Sequence, residues 1–169
     1  MNHPPKTPAS LFRPVIFLWM LSLNTGVNLL RNEVKIRVIY ADTDAMGIVY
    51  HTNYIRWFEI GRTELLRNAG LVYAEIELQG YNLPLTEAYC HYLLPARYDQ
   101  IIVVETTLEY LKRASMKFNY VIWDEDKEYT LVEGYTVHAC TNNKGKIVRI
   151  PAVIIDKINE HNLISQKWA

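Results

Sequence analysis

Residues 42–54 read Asp42-Thr43-Asp44-Ala45-Met46-Gly47-Ile48-Val49-Tyr50-His51-Thr52-Asn53-Tyr54. Two carboxylates precede a glycine-containing turn, and the turn runs directly into a helix start. Asn53 is the expected N-cap, because its side chain can accept from a backbone N–H left free in the first helical turn. Tyr54, Trp57, Phe58, Gly61 and Leu65 then follow at offsets of 3, 4, 7 and 11, which is the spacing of one helical face. Gly70 stands where that helix should end on a glycine cap. A carboxylate before a loop that feeds a helix N-terminus lies beside N–H groups able to hold an oxyanion, so one reading of Asp42 and Asp44 is a reaction centre. The other is that both only cap turns, where Asp is common. His51 alone reads more readily as a hydrogen-bonded structural histidine than as a base. Asp42, Asp44 and His51 are also metal-ligand types, but no further ligand lies at a matching spacing, and no metal is expected.

Outward from this stretch the pattern is orderly. Val34, Ile36 and Val38 alternate with Lys35, Arg37 and Ile39, predicting a half-buried strand that ends near Tyr40, with a loop over 41–52. Downstream, a short helix is expected over Tyr73–Leu78, closed by Gly80. Segments 83–94, 100–111, 116–123 and 129–141 are rich in Tyr, Val, Ile and Thr and are separated by turn residues, predicting four consecutive strands. Asn142 to Gly145 reads as a hairpin turn into a fifth short strand over 146–150, ended by Pro151. One strand, a long helix and then a run of antiparallel strands defines an α+β domain. There is no internal repeat.

The chain has 169 residues, half of them hydrophobic, enough for one compact domain and too few for two of ordinary size. Eighteen basic residues balance eighteen acidic ones. That neutrality removes the bulk attraction of a general nucleic-acid or anionic-membrane binder, so no nucleic-acid partner is expected. Cys90 and Cys140 form neither a metal cluster nor a disulfide framework and read as two reduced thiols of a cytoplasmic protein. Residues 1–32 differ from the rest, with four prolines and no acidic residue, and form a leader or arm of open role. The apolar run 15–23 has the length of a signal-peptide core, is too short to span a bilayer, and lacks a small-residue cleavage pattern after it. The domain is expected over 33–155, with 156–169 as a C-terminal tail.

Arg37-Val38, Thr43-Asp44, Gly47 to His51, Asn53-Tyr54 and the helix carrying Trp57, Phe58 and Glu59 resemble the 4-hydroxybenzoyl-CoA thioesterase-like branch of the hotdog-fold acyl-CoA thioesterases. Tyr50-His51 is most similar to the bacterial subgroup associated with the Tol-Pal envelope system. The resemblance implies a hotdog fold, in which an antiparallel sheet of five or six strands wraps the long helix. It also implies a homodimer paired edge to edge, doubled into a homotetramer, with the active site at the subunit interface. On the same ground Asp44 is the catalytic carboxylate, as nucleophile or general base. The backbone N–H of His51 polarises the thioester carbonyl, and Tyr50 and the His51 ring shape the acyl pocket. Coenzyme A is then part of the substrate, no cofactor is needed, and an acyl carrier protein is a further conceivable partner.

Coenzyme A carries several phosphate charges, whereas residues 33–169 hold 15 basic against 18 acidic side chains, so recognition needs a local cluster. Lys112-Arg113 with Ser115 is the best candidate, read against ordinary solvated turn charges. Asn53 contributes to the substrate site or serves only as the cap. Two other classes stay open. A hotdog hydratase or dehydratase could use His51 with Glu59, although eight residues along a helix is about 12 Å, too far for direct cooperation. A non-catalytic scaffold for acyl carriers or lipid-synthesis enzymes is the other.

Overall fold

The computed structural model describes residues 30–167, with side chains described through residue 161. Strand β1 (Arg31–Arg37) leads through a single 3-10 turn at Tyr40–Asp42 and a tight loop into helix α1 (Thr52–Asn68). A short helix, α2 (Tyr73–Leu78), precedes strands β2 (Tyr81–Asn82), β3 (Leu85–Tyr92), β4 (Ile101–Leu111), β5 (Ser115–Asp124), β6 (Thr130–Ala139) and β7 (Thr141–Asn142). Helix α3 (Ala152–Lys167) closes the described chain. Five strands form one antiparallel sheet in the order β1-β4-β5-β6-β3, and β2 pairs with β7 separately. This is the α+β hotdog architecture, with α1 laid on the inner face of the sheet.

The apolar face of α1 is the one its spacing predicts: Tyr54, Trp57, Phe58, Gly61, Leu65 and Leu66 are buried. Burying a large apolar side chain is worth about 1.5 to 3 kcal/mol, so this face is a dominant part of the core. Two glycines let helix and sheet approach. A Cβ on Gly61 would stand 2.3 Å from the Thr106 hydroxyl, and one on Gly134 in β6 would stand 2.4 Å from the Tyr89 carbonyl and 2.7 Å from the Phe58 ring. Into the space left by Gly134, Phe58 stacks on Tyr120 with ring centroids 4.2 Å apart. The helix ends as expected at Gly70 (φ +76°). The Gly70 N–H bonds to the Arg67 carbonyl and that of Leu71 to the Leu66 carbonyl, both at 2.9 Å, and buried Leu66 and Leu71 accompany this pair of bonds.

Several expected boundaries move. β1 begins at Arg31 and stops at Arg37, and Leu30 is already in the core, so the sheet includes residues 31 and 32. His51, not Asn53, is the N-cap of α1, and it makes no side-chain cap bond. The turn at 142–145 is present, with the Gly145 N–H donating to the Asn142 carbonyl. Residues 146–150 nevertheless form only an isolated bridge, Thr141 to Ile147, rather than a strand. The expected tail is largely helix α3, whose Ile154 and Ile158 are buried, so the packed unit continues past residue 155. The apolar run 15–23 lies outside the described residues. Among the described residues, no helix is long and apolar enough to cross a membrane.

A polar chain crosses the core beneath α1. Arg62 Nη1 donates to His138 Nε2 at 2.6 Å, and His138 Nδ1–H donates to the Leu83 carbonyl at 2.9 Å. Thr136 Oγ1 lies 3.0 Å from the same His138 nitrogen and 2.7 Å from the Tyr120 hydroxyl. Burial first, and the facing Arg62 charge second, push the His138 ring down to about 4. The unfolded ring takes up a proton near 6.5 while the folded one resists until about 4. The stability contributed by neutral His138 is therefore complete above pH 6.5 and is lost as pH falls toward 4. Urea unfolding across that window should show His138→Gln losing about 3 kcal/mol less stability on acidification than wild type.

Candidate active site

The loop between β1 and α1 is fastened at several points. The Asp44 N–H donates to the Ile48 carbonyl and the Gly47 N–H to the Asp44 carbonyl, each at 2.9 Å, closing a tight turn over residues 44–47. Gly47 sits at φ +70°, where a side chain is strained. Asp44 Oδ1 accepts from the Met46 N–H at 2.8 Å, so the carboxylate is oriented by its own turn and is half-buried. Thr43 and Val49 form a bridge across the base of the turn. The loop is also tied to the 95–99 turn, where the Ala96 carbonyl accepts from Val49 N–H at 2.9 Å and Arg97 Nη1 donates to the Gly47 carbonyl at 3.3 Å.

Asp42 does something different from Asp44. Its carboxylate is 4% exposed. It accepts from the Ile39 N–H at 3.1 Å and forms an ion pair with Arg56 of α1. Its main-chain carbonyl accepts from the Tyr50 N–H and from Asn53 Nδ2, both at 2.8 Å. Asp42 is thus a structural tie with its oxygens engaged, neither a metal ligand nor a simple turn cap. The expectation of Asn53 as a cap is corrected accordingly: its amide holds the loop to the helix from inside the first turn.

An open groove of about 490 Å³ runs beside the turn, lined by Tyr40, Thr43, Asp44, Ala45, Gly47 and Tyr98. The Tyr40 and Tyr98 rings meet edge to face at 5.9 Å. Both tyrosines escaped the sequence reading. Tyr98 lies 54 positions beyond Asp44 on a different turn, and no local pattern connects them. Of the expected residues, Asp44 is in the groove, and Tyr50 and His51 stand exposed at the head of α1 with their rings 4.4 Å apart. No hydrogen bond among the described residues engages the His51 N–H, whereas its carbonyl accepts from the Tyr92 hydroxyl at 3.1 Å. Burial pushes Tyr92 up to about 12, so that donor stays protonated. Glu59 is exposed farther along α1.

Lys112, Arg113 and Ser115 occupy the β4–β5 hairpin. Lys112 Nζ lies 4.3 Å over the Tyr110 ring, and the Lys112 N–H donates to the Ser115 carbonyl at 2.8 Å. β4 carries this hairpin at its Leu111 end, while the side of the β1–α1 loop meets its Ile101 end, where Val38 N–H bonds to the Gln100 carbonyl at 2.9 Å. Eleven strand residues separate those ends by roughly 33 Å. Within one subunit the basic cluster and Asp44 do not meet.

A sequence profile of the thioesterase-like superfamily matches residues 38–158. The crystal structure of a hypothetical protein from Aquifex aeolicus superposes with a TM-score of 0.71 at 37% identity, covering 75% of this chain and 98% of that one. The DHNA-CoA thioesterase of Staphylococcus aureus superposes at 0.74 with 26% identity, covering 82% and 95%. The acyl-CoA thioesterase YbgC of Haemophilus influenzae is 36% identical over 84 residues, 49% of this chain and 62% of that protein. The chain belongs to the thioesterase-like superfamily and is a thioester hydrolase of the hotdog fold.

Gly47→Ala gives a direct check on the loop. The added methyl meets no atom within 4 Å, so the cost is backbone strain alone, about 1 to 2 kcal/mol. Thermal melting should fall correspondingly, and turnover should fall with it because the turn that orients Asp44 is distorted.

Proposed function

We propose that this protein hydrolyses an acyl-coenzyme A thioester to the free acid and coenzyme A. The observation that carries the reading is the half-buried Asp44 carboxylate, held by its own turn and lining an open groove with Tyr40 and Tyr98, on the loop that leads into α1. Membership in the thioesterase-like superfamily supplies the reaction class. The carbonyl oxygen of the substrate accepts from the His51 N–H, where the helix N-terminus favours developing negative charge. Asp44 attacks the carbonyl carbon or takes a proton from an attacking water. The electron pair of the breaking C–S bond leaves on sulfur, and a thiol of pKa about 8.5 departs without a strong acid. Tyr50 and the His51 ring border the acyl group, joined in this reading by Tyr40 and Tyr98. No cofactor enters the chemistry. Phosphopantetheine on an acyl carrier protein presents the same thioester, so a carrier-borne acyl group is the alternative donor.

The site is read as completed by a second subunit. β3 is an edge strand of eight residues, exposed except at half-buried Cys90, and Leu85, Tyr89 and Tyr92 lie on it. An unpaired edge of this length invites pairing with another copy. Antiparallel pairing of two β3 strands reverses the partner end for end, bringing its Lys112-Arg113-Ser115 hairpin to the same end of the joint sheet as Asp44. That arrangement lets the basic cluster neutralise coenzyme A phosphates at a site it cannot reach within its own subunit. We place the enzyme in the cytoplasm as a dimer, doubled into a tetramer, within the Tol-Pal-associated subgroup suggested by Tyr50-His51.

Two measurements test this reading. Thiol release over a panel of aliphatic and aromatic acyl-CoAs should identify a substrate, and Asp44→Asn should lower its turnover at least roughly a hundredfold while leaving melting temperature unchanged. Wild-type turnover in that variant would reduce Asp44 to a turn residue. Light scattering should show at least a dimer. Mixing Asp44→Asn with Lys112→Ala/Arg113→Ala subunits should regain, through hybrid dimers, activity that each parent lacks.

A further inference from the structure

Arg56 stands outside the groove, yet it is joined to the loop that carries Asp44. Its guanidinium is 54% exposed, while the Asp42 carboxylate paired with it is 4% exposed. Arg56 also sits in the second turn of α1, where the helix dipole gives a cation no help. Helix electrostatics therefore do not account for its position, but Asp42 does: a buried carboxylate without a partner is strongly unfavourable. Through Asp42 the pair reaches three separate points. The carboxylate takes the Ile39 N–H, and the carbonyl takes the Tyr50 N–H and the Asn53 amide. Tyr50 immediately precedes His51, and Asp44 follows Asp42 by two residues. The two groups proposed to handle the thioester thus hang on opposite sides of one fastened residue.

We infer that the Arg56–Asp42 ion pair is a positioning device for thioester hydrolysis, setting the separation of the Asp44 carboxylate from the His51 N–H; this rests on the catalytic reading of Asp44. Arg56 touches no reacting atom and acts through Asp42. The charged and titratable groups on the loop and the segments joined to it are Asp42, Arg56, Arg97, the Arg37–Asp99 pair and His51, and the groove adds the Tyr40 and Tyr98 hydroxyls. Removing one member of the pair leaves the other uncompensated on the loop or on the helix beside it. Arg56→Gln leaves a negative charge, which disfavours ionised Asp44, and Asp42→Asn leaves a positive one, which favours it.

The test uses the full chain with hexanoyl-CoA and benzoyl-CoA as probes, comparing wild type with Arg56→Gln, Arg56→Lys, Asp42→Asn, the Asp42→Asn/Arg56→Gln double variant and Asp44→Asn. Arg56→Gln should lower kcat roughly ten- to a hundredfold with KM within about threefold, since displacing a reacting group by a fraction of its contact distance has that effect. Arg56→Lys should recover much of the loss, and the double variant should be no worse than the poorer single one. The acid limb of the kcat profile should move up in Arg56→Gln and down in Asp42→Asn, a pair of opposite shifts that simple loss of folded protein does not produce. Melting temperatures identify any variant that fails to fold, and Arg56→Lys then carries the kcat comparison. The inference is overturned if Arg56→Gln keeps wild-type kcat and pH profile while Asp44→Asn is inactive. Full activity in Asp44→Asn would instead remove the catalytic reading beneath it.

Discussion

Everything in this domain depends on how closely α1 lies on the sheet. Gly61 and Gly134 remove the two Cβ atoms that would hold the layers apart, and Phe58 then stacks on Tyr120 across the gap. Because the helix is pinned along its buried face, its first residue has one place to be, at the Ile101 end of β4 and beside Tyr92 of β3. The placement of the His51 N–H, which no hydrogen bond among the described residues engages, is a product of that pinning. In the proposed reaction, helix–sheet contact in the core would thereby decide where the oxyanion is held.

The loop preceding the helix divides its two carboxylates by burial. Asp42 is drawn inside and neutralised by Arg56, whereas Asp44, two residues on, is turned outward by its own Met46 and Gly47 contacts. One acidic pair in the sequence thus becomes one buried tie and one carboxylate that lines the groove. The same economy appears in the core, where His138 is kept neutral by burial and by Arg62 and serves the hydrogen-bond chain rather than catalysis.

One chain does not bring all the proposed site residues together. The groove, Asp44 and the helix head share one end of the sheet, and the basic hairpin lies at the other. The exposed β3 edge offers the physical means of reversing a second copy against the first. In the proposed dimer the thioester would lie at one subunit's loop and the coenzyme A phosphates at the other's hairpin.

Much of the architecture was legible from residues alone. The 3.6-residue spacing of Tyr54, Trp57, Phe58, Gly61 and Leu65 determined α1 and its buried face, Gly70 its end, and the alternating Tyr/Val/Thr segments the four long strands, because these signals are local and repeat at the period of the element. Asp44 was legible as a candidate because its motif is contiguous, and the structure sets its carboxylate against the groove. What lay beyond the sequence is what depends on distant segments meeting. The segment at 146–150 has strand composition but lacks a ladder to join, Asn53 has cap chemistry but finds the Asp42 carbonyl first, and residues 156–161 enter a helix anchored by Ile154 and Ile158. Tyr98 reaches the groove, Arg56 reaches Asp42 and Lys112 stands a full strand away from Asp44 only because of the sheet order β1-β4-β5-β6-β3. Periodicity tells which face of an element is buried; only packing decides which remote side chain it is buried against.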